Sequence, residues 1–290
     1  MTLYEALVQP FADFAFMRRA LVGSVVLSVG TAPVGVFLML RRMSLTGDAM
    51  AHAILPGAAV GFLLAGLDLV AMTAGGIVAG LVVALLTSAV SRSTVLREDA
   101  SMASFYLISL ALGVLIVSLR GSPVDLMHVL FGTVLALNDQ SLWFIAGVAS
   151  VTVLTFAVIW RPLVMECVDP AWLRVVSGSG AAVHAVFMVL MVLNLVAGYQ
   201  ALGTLLSVGI MMLPAAASRF WSHEIGAMTT IAALIAAVSA VTGLLASYHF
   251  DLPSGPAIIL VAGAVYVVSL LAGPTGGLIP RLLPAPHRSN

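Results

Sequence analysis

No lysine occurs anywhere in the 290 residues; all twelve basic residues are arginine. That absence excludes whole reaction classes. A nucleotide-binding P-loop places Lys against the phosphates, and a Schiff base to retinal or pyridoxal phosphate requires an ε-amino group. Any ATP hydrolysis that drives this protein must therefore occur on another chain. Charge of both signs is scarce, at 8% of residues against roughly 25% in soluble domains. The formal net charge is zero, which leaves no electrostatic footprint for nucleic acid. Cys167 is the only cysteine, so there is neither an intrachain disulfide nor a thiolate cage, and a structural thiol is the simplest reading. His-Glu-x-x-His and Gly-x-Ser-x-Gly motifs are missing, and no Ser/His pair stands out. The protein is not expected to be an enzyme.

What is present is hydrocarbon: 61% apolar residues and a mean hydropathy of +1.15. So little charge could not keep a soluble surface from aggregating, whereas in a bilayer lipid replaces water as the outer solvent. The chain has room for roughly ten spans of about 20 residues. The apolar runs are Ala20–Leu40, Ala49–Ala65, Leu69–Val90, Met102–Leu119, a short run Val124–Leu137, then Leu142–Trp160, Ala181–Ala197, Leu202–Ala217, Ile225–Ala246 and Gly255–Leu271. The short run is below spanning length. If it enters and returns on one side, nine arginines (41, 42, 92, 97, 161, 174, 219, 281 and 288) face three (18, 19 and 120). That bias marks the arginine-rich side as cytoplasmic. The expectation is an all-α, polytopic transmembrane bundle of about nine spanning helices plus a short re-entrant helix.

The corresponding division is an extracytoplasmic N-terminal segment (1–17), one membrane domain (18–273) containing a cytoplasmic connector (161–180), and a cytoplasmic tail (274–290). The first sixteen residues lack a basic region before an apolar core, so no cleaved leader is expected. Gly57/Gly61 and Gly76/Gly80 have the small-xxx-small spacing that lets helices approach closely in lipid. Pro33, Pro56 and Pro214 fall in or near apolar runs, where each removes a backbone donor.

Ionisable groups within such runs are costly, about 2.5–3.5 kcal/mol at a helix centre. Asp48 and His52 stand at i, i+4 in Gly47-Asp48-Ala49-Met50-Ala51-His52, a spacing that puts both on one helix face. A carboxylate oxygen and an imidazole nitrogen there can share a divalent ion such as zinc or manganese. The structural alternative is that Asp48 caps the second helix and His52 bonds locally. Asp125/His128 are better read as capping or surface residues, and His184 as a satisfied interfacial histidine. His223 and Glu224 read as solvated loop residues. His249 and Asp251 could touch a partner or cap the last span. Asp169-Pro170 reads as a helix start, opening a short interfacial helix.

Three segments carry a resemblance to a known family. They are Leu40-Arg41-Arg42-Met43-Ser44-Leu45 with Gly47-Asp48-Ala49 through His52 and Leu55-Pro56-Gly57; Leu202-Gly203-Thr204-Leu205-Leu206 through Pro214-Ala215-Ala216-Ala217-Ser218-Arg219; and Asp251-Leu252-Pro253-Ser254-Gly255-Pro256 through Leu260. Over residues 15 to 275 the chain resembles the permease subunit of ATP-binding-cassette importers for zinc, manganese or iron(II). The resemblance implies that Asp48 and His52 form the metal site of the pathway. It also implies that Asp169, Trp172, Arg174 and Gly178 belong to a coupling helix docking on the ATPase. The implied assembly is two permease chains, two ATPase chains and an extracytoplasmic metal-binding protein in a bacterial inner membrane, among membrane lipid. It has no permanently bound cofactor and works by alternating access. The alternative is a stand-alone secondary transporter or channel, which would need intramembrane carboxylates for coupling; Asp48 is the one strong candidate.

Overall fold

The computed structural model describes residues 3–66, 68–119 and 137–282. Every regular element among them is helical, as a hydrocarbon solvent demands of backbone N–H and C=O groups. Two short helices, α1 (Leu3–Leu7) and α2 (Gln9–Asp13), precede α3 (Ala15–Leu40). Next come α4 (Thr46–Ala53), α5 (Leu55–Ala65), α6 (Leu69–Ser93) and α7 (Glu98–Leu119). They are followed by α8 (Asp139–Val168), α9 (Pro170–Val176), α10 (Gly180–Leu202), α11 (Thr204–Ser218), α12 (Ile225–Phe250), α13 (Ser254–Ala272) and α14 (Leu278–Leu282). Eight segments are long and apolar enough to cross a membrane, with α4 and α5 together forming one; α11 is a shorter apolar ninth.

Side-chain contacts fix which helix ends lie together. Arg19 at the start of α3 pairs with Asp139 at the start of α8 (2.8 Å), and Phe14 stacks against Tyr248 near the end of α12 (5.8 Å between centroids). At the opposite end Arg41 pairs with Glu166 of α8 and lies over Phe187 of α10. Glu98 of α7 meets His184 of α10 there. A cleft of about 470 Å³ brings Met39 and Leu40 together with Arg219, His223 and Tyr266. Arg18 and Arg19 thus occupy one end of the bundle, and Arg41 and Arg219 the other. Of the expected re-entrant run, Val124–Leu137, residues 124–136 lie outside the described residues, and Leu137 is buried. The start of α7 and the end of α8 share the arginine-rich end, so the end of α7 and the start of α8 share the other.

Helices α3 and α10 are the most enclosed, whereas α6, α7, α8 and α13 turn most of their surface outward. The core around them contains Phe37, Phe156 and Phe187 in mutual contact, with Trp160 edge-on to Phe37 at 5.5 Å. Close approach at glycine assembles the rest. A Cβ on Gly57 would run into the carbonyl of Gly75, and one on Gly61 into the backbone of Ala71, so α5 and α6 touch backbone to backbone. The Gly76/Gly80 pair serves a different neighbour, receiving Ile54 and Val192 side chains.

Pro33 and Pro214 are carried inside α3 and α11, but at Pro56 the second span breaks into α4 and α5. Proline supplies no N–H to the carbonyl four residues back, here His52. Gly203 (φ 84°) alone joins α10 to α11, a left-handed conformation that a side chain would strain. Helix α8 runs on through 161–168, where the connector was expected to begin. It does so because Leu163 is fully buried and the charge of Glu166 is met by Arg41. Beyond α8 the chain continues as α9 and its flanking turns.

Candidate functional site

Asp48 and His52 sit in the first half of the broken second span. Six residues separate Thr46 from His52, about 9 Å at 1.5 Å per residue. Small neighbours permit tight seating of this helix: Ala49, Ala51 and Ala53 are buried, and Gly47 abuts the Met211 methyl group of α11. From α7, Ser109 donates a hydrogen bond to the carbonyl of Ala53 (2.9 Å), and Gly113 lies against Pro56. The kinked turn beside His52 is therefore gripped from outside.

The two side chains share one face, with His52 Nε2 4.0 Å from Asp48 Oδ1. That separation exceeds a hydrogen bond. The N-cap of α4 is Leu45, with no side-chain cap, so Asp48 does not cap the helix. Its side chain is 66% exposed and that of His52 33%. His52 Nδ1 is buried without a hydrogen-bond partner. Among the described residues no third His, Cys, Asp or Glu joins the pair closely enough to complete a metal cage.

The other expected residues sit apart from this pair. Asp169 is the N-cap of α9, accepting from the N–H of Trp172 (2.9 Å), with Pro170 at the first helical position. Trp172, Val175 and Val176 are exposed while Leu173 is buried, so the short helix presents an apolar face outward. Gly178 takes φ +64°, ending the segment in a turn that favours glycine. The backbone of Arg174 lies within α9. His184 is satisfied by Glu98 at 3.1 Å, and His223 and Glu224 are exposed, as anticipated. Asp251 ends α12 in the left-handed region, and the N-cap of α13 is Pro253, so Asp251 does not cap the last span.

Three groups escaped the sequence reading. Glu98, at an apolar run's edge, carries no motif. Arg41 sits in a recognisable Arg-Arg pair, but its partner is 125 residues away. Asn194 is wholly buried and donates to Thr152 Oγ1 (2.7 Å) and to the carbonyl of Leu190 (2.8 Å). A lone amide in the apolar stretch 185–198 was a legible signal for this last one, since buried polar groups in lipid need partners.

The model of the ABC 3 transport family matches residues 13–273, nearly the whole described bundle. The chain belongs to that family. Family members are permeases, transport components rather than enzymes, and with its apolar helices the chain is a multi-pass protein of the bacterial plasma membrane. The manganese import system permease protein ScaB of Streptococcus gordonii is 29% identical over 94% of this chain and 96% of its own length. The chelated iron transport system membrane protein YfeD of Yersinia pestis is 30% identical over 93% and 89%. Among solved structures, PsaBC from Streptococcus pneumoniae in complex with Fab superposes with a TM-score of 0.84. It is 29% identical and covers 97% of this chain and all of the matched one.

Proposed function

We propose that this ABC 3 permease carries a divalent transition-metal ion inward, and that Asp48 and His52 hold the ion on the way. The observation that carries the reading is the pair itself. One carboxylate and one imidazole share a helix face at 4.0 Å, the carboxylate caps nothing, and Pro56 next to them opens the helix. Two donors about 2.1 Å from an ion stand roughly 3–3.4 Å apart, within reach of a small side-chain rotation. Two protein ligands form an incomplete shell, which suits a site that must release its ion. Water, backbone or the same pair from a second permease chain completes it. The exposure of Asp48 leaves the site open to that second chain.

Manganese is the first candidate and iron(II) the second, after the names of the relatives; zinc is accepted by the same donors. Without Lys and without a P-loop, the chain takes its energy from a partner ATPase. The exposed apolar face of α9 supplies a surface for that partner, with Asp169 fixing its start and Gly178 its end. An extracytoplasmic metal-binding protein delivers the ion to the end bearing Arg18 and Arg19. The arginine-rich end is cytoplasmic by the positive-inside bias.

The test is uptake into proteoliposomes holding the permease, its ATPase and its binding protein, with manganese(II), iron(II) or zinc(II) offered in turn. ATP-dependent uptake of one ion, lost in Asp48→Ala and His52→Ala with assembly intact, is expected. Uptake that persists without the ATPase would instead support a stand-alone transporter.

A further inference from the structure

A charged cluster at the arginine-rich end is not used by this reading and joins the two segments that are. The Arg41 side chain is only 8% exposed and that of Glu166 12%, with Nη2 and Oε1 3.3 Å apart. Arg41 also lies 5.0 Å above the centre of the Phe187 ring. Glu98 approaches His184 to 3.1 Å, and both Arg41 and Arg92 act on it electrostatically. The positive charges of Arg41 and Arg92 acting on Glu98 oppose a divalent cation there, so the cluster is not read as a second metal site.

Each member of the cluster is tied by short stretches of chain to a functional segment. Glu166 is three residues from Asp169, which starts α9. Arg41 ends α3, and a tight turn leads from it to α4. Hydrogen bonds run through that turn from Met43 N to Leu38 O (2.9 Å), Thr46 N to Met43 O (3.1 Å) and Ala49 N to Leu45 O (3.0 Å). Arg42 within it holds φ 59°, a conformation that persists in a non-glycine residue only where surroundings impose it. The turn is thus a stiff lever between Arg41 and Asp48. A second arm runs from Glu98 along α7 to Ser109, which holds the carbonyl of Ala53 beside His52.

The cluster is also unsaturated. Arg41 Nη1 and Glu166 Oε2 are buried and lack hydrogen-bond partners. Buried charged groups are normally paired out. Arg41 is bonded to Glu166 through Nη2 and leaves Nη1 unpaired, while Glu98 rests on His184 and Arg41 on Phe187, one turn apart on α10.

We propose that Arg41 is a positioning residue that exchanges between Glu166 and Glu98 as the α8–α9 end moves, tilting α4 and with it the Asp48–His52 pair. This inference rests on the reading of α9 as the ATPase contact and of Asp48 and His52 as the metal pair. The test is the number of manganese(II) ions imported per ATP hydrolysed by the assembled importer in proteoliposomes. Glu166→Gln and Glu98→Gln are expected to lower that ratio at least tenfold while ATP hydrolysis stays within twofold. The exchange Arg41→Glu with Glu166→Arg is expected to recover part of it. A merely structural role would reduce the amount of assembled importer and leave the ratio alone. Where Glu166→Gln does not assemble, Glu166→Asp keeps the charge, shortens the reach and gives the same readout. An unchanged ratio in the assembled carboxylate variants overturns the proposal. Asp48→Ala, run in parallel, separates the two readings: normal uptake in it defeats the metal pair, whereas the ratio in the Glu166 variant still judges the exchange.

Discussion

Replacing Gly57 by alanine should destabilise the protein, although helix propensity alone predicts the reverse. Ala in place of Gly within a helix gains up to about 1 kcal/mol. At Gly57 the added methyl group would overlap the carbonyl of Gly75 and lie 2.6 Å from the Cβ of Ala79. Carbon atoms pack at about 3.5–4.0 Å, so α5 and α6 would have to part by about 1 Å along their contact. Overpacking of this kind costs about 1–3 kcal/mol, which offsets a propensity gain of about 1 kcal/mol and leaves a net loss of up to about 2 kcal/mol. Gly263 of α13 is the control, because a Cβ there meets nothing within 4 Å; Gly263→Ala should be neutral or stabilising by up to about 1 kcal/mol. The assay is equilibrium unfolding in mixed detergent micelles, followed by helical circular dichroism. A Gly57→Ala variant as stable as the Gly263→Ala variant would refute the backbone-to-backbone contact.

Other perturbations have distinct signatures. Thr152→Val removes the acceptor of the Asn194 amide and leaves a buried donor unmatched, which should cost about 1–3 kcal/mol in the same unfolding assay without changing which ion is carried. Asp169→Ala removes the N-cap of α9 at a cost of about 1 kcal/mol. It should lower ATP hydrolysis by the assembled importer, while Asp169→Asn, which keeps a capping oxygen, should largely restore it. Lowering pH should reduce uptake, because a protonated imidazole has no lone pair for the metal. A His52→Gln variant with residual transport should lose that part of the pH dependence when rates are compared across the acid range.

Much of the fold was written in composition and run length. Apolar stretches bounded by Arg, Asp or Gly located the eight spanning-length segments and the shorter α11 among the described residues, because in lipid a helix must satisfy its own backbone and its length is set by the bilayer. Boundaries were less legible where tertiary partners decide them. Residues 161–168 look polar enough to leave the membrane, yet Glu166 stays in α8 because Arg41 neutralises it. The break at Pro56 was foreseeable from one residue; its consequence, a separate short helix bearing both Asp48 and His52, depends on α7 gripping the kink. The i, i+4 pair itself was visible as a pattern, but pattern alone left capping open, and Leu45 at the N-cap is what removes that alternative. The cluster of Arg41, Glu98, Glu166 and His184 could not be read from sequence, since its members come from four helices and share no spacing.

The measurement closest to the central claim is ATP-driven manganese(II) uptake by the assembled importer carrying His52→Ala, beside wild type and the Thr152→Val control. Uptake abolished in His52→Ala, with assembly and ATP hydrolysis retained and the control active, is the predicted result. Wild-type uptake in the His52→Ala importer would contradict the claim and return the pair to packing.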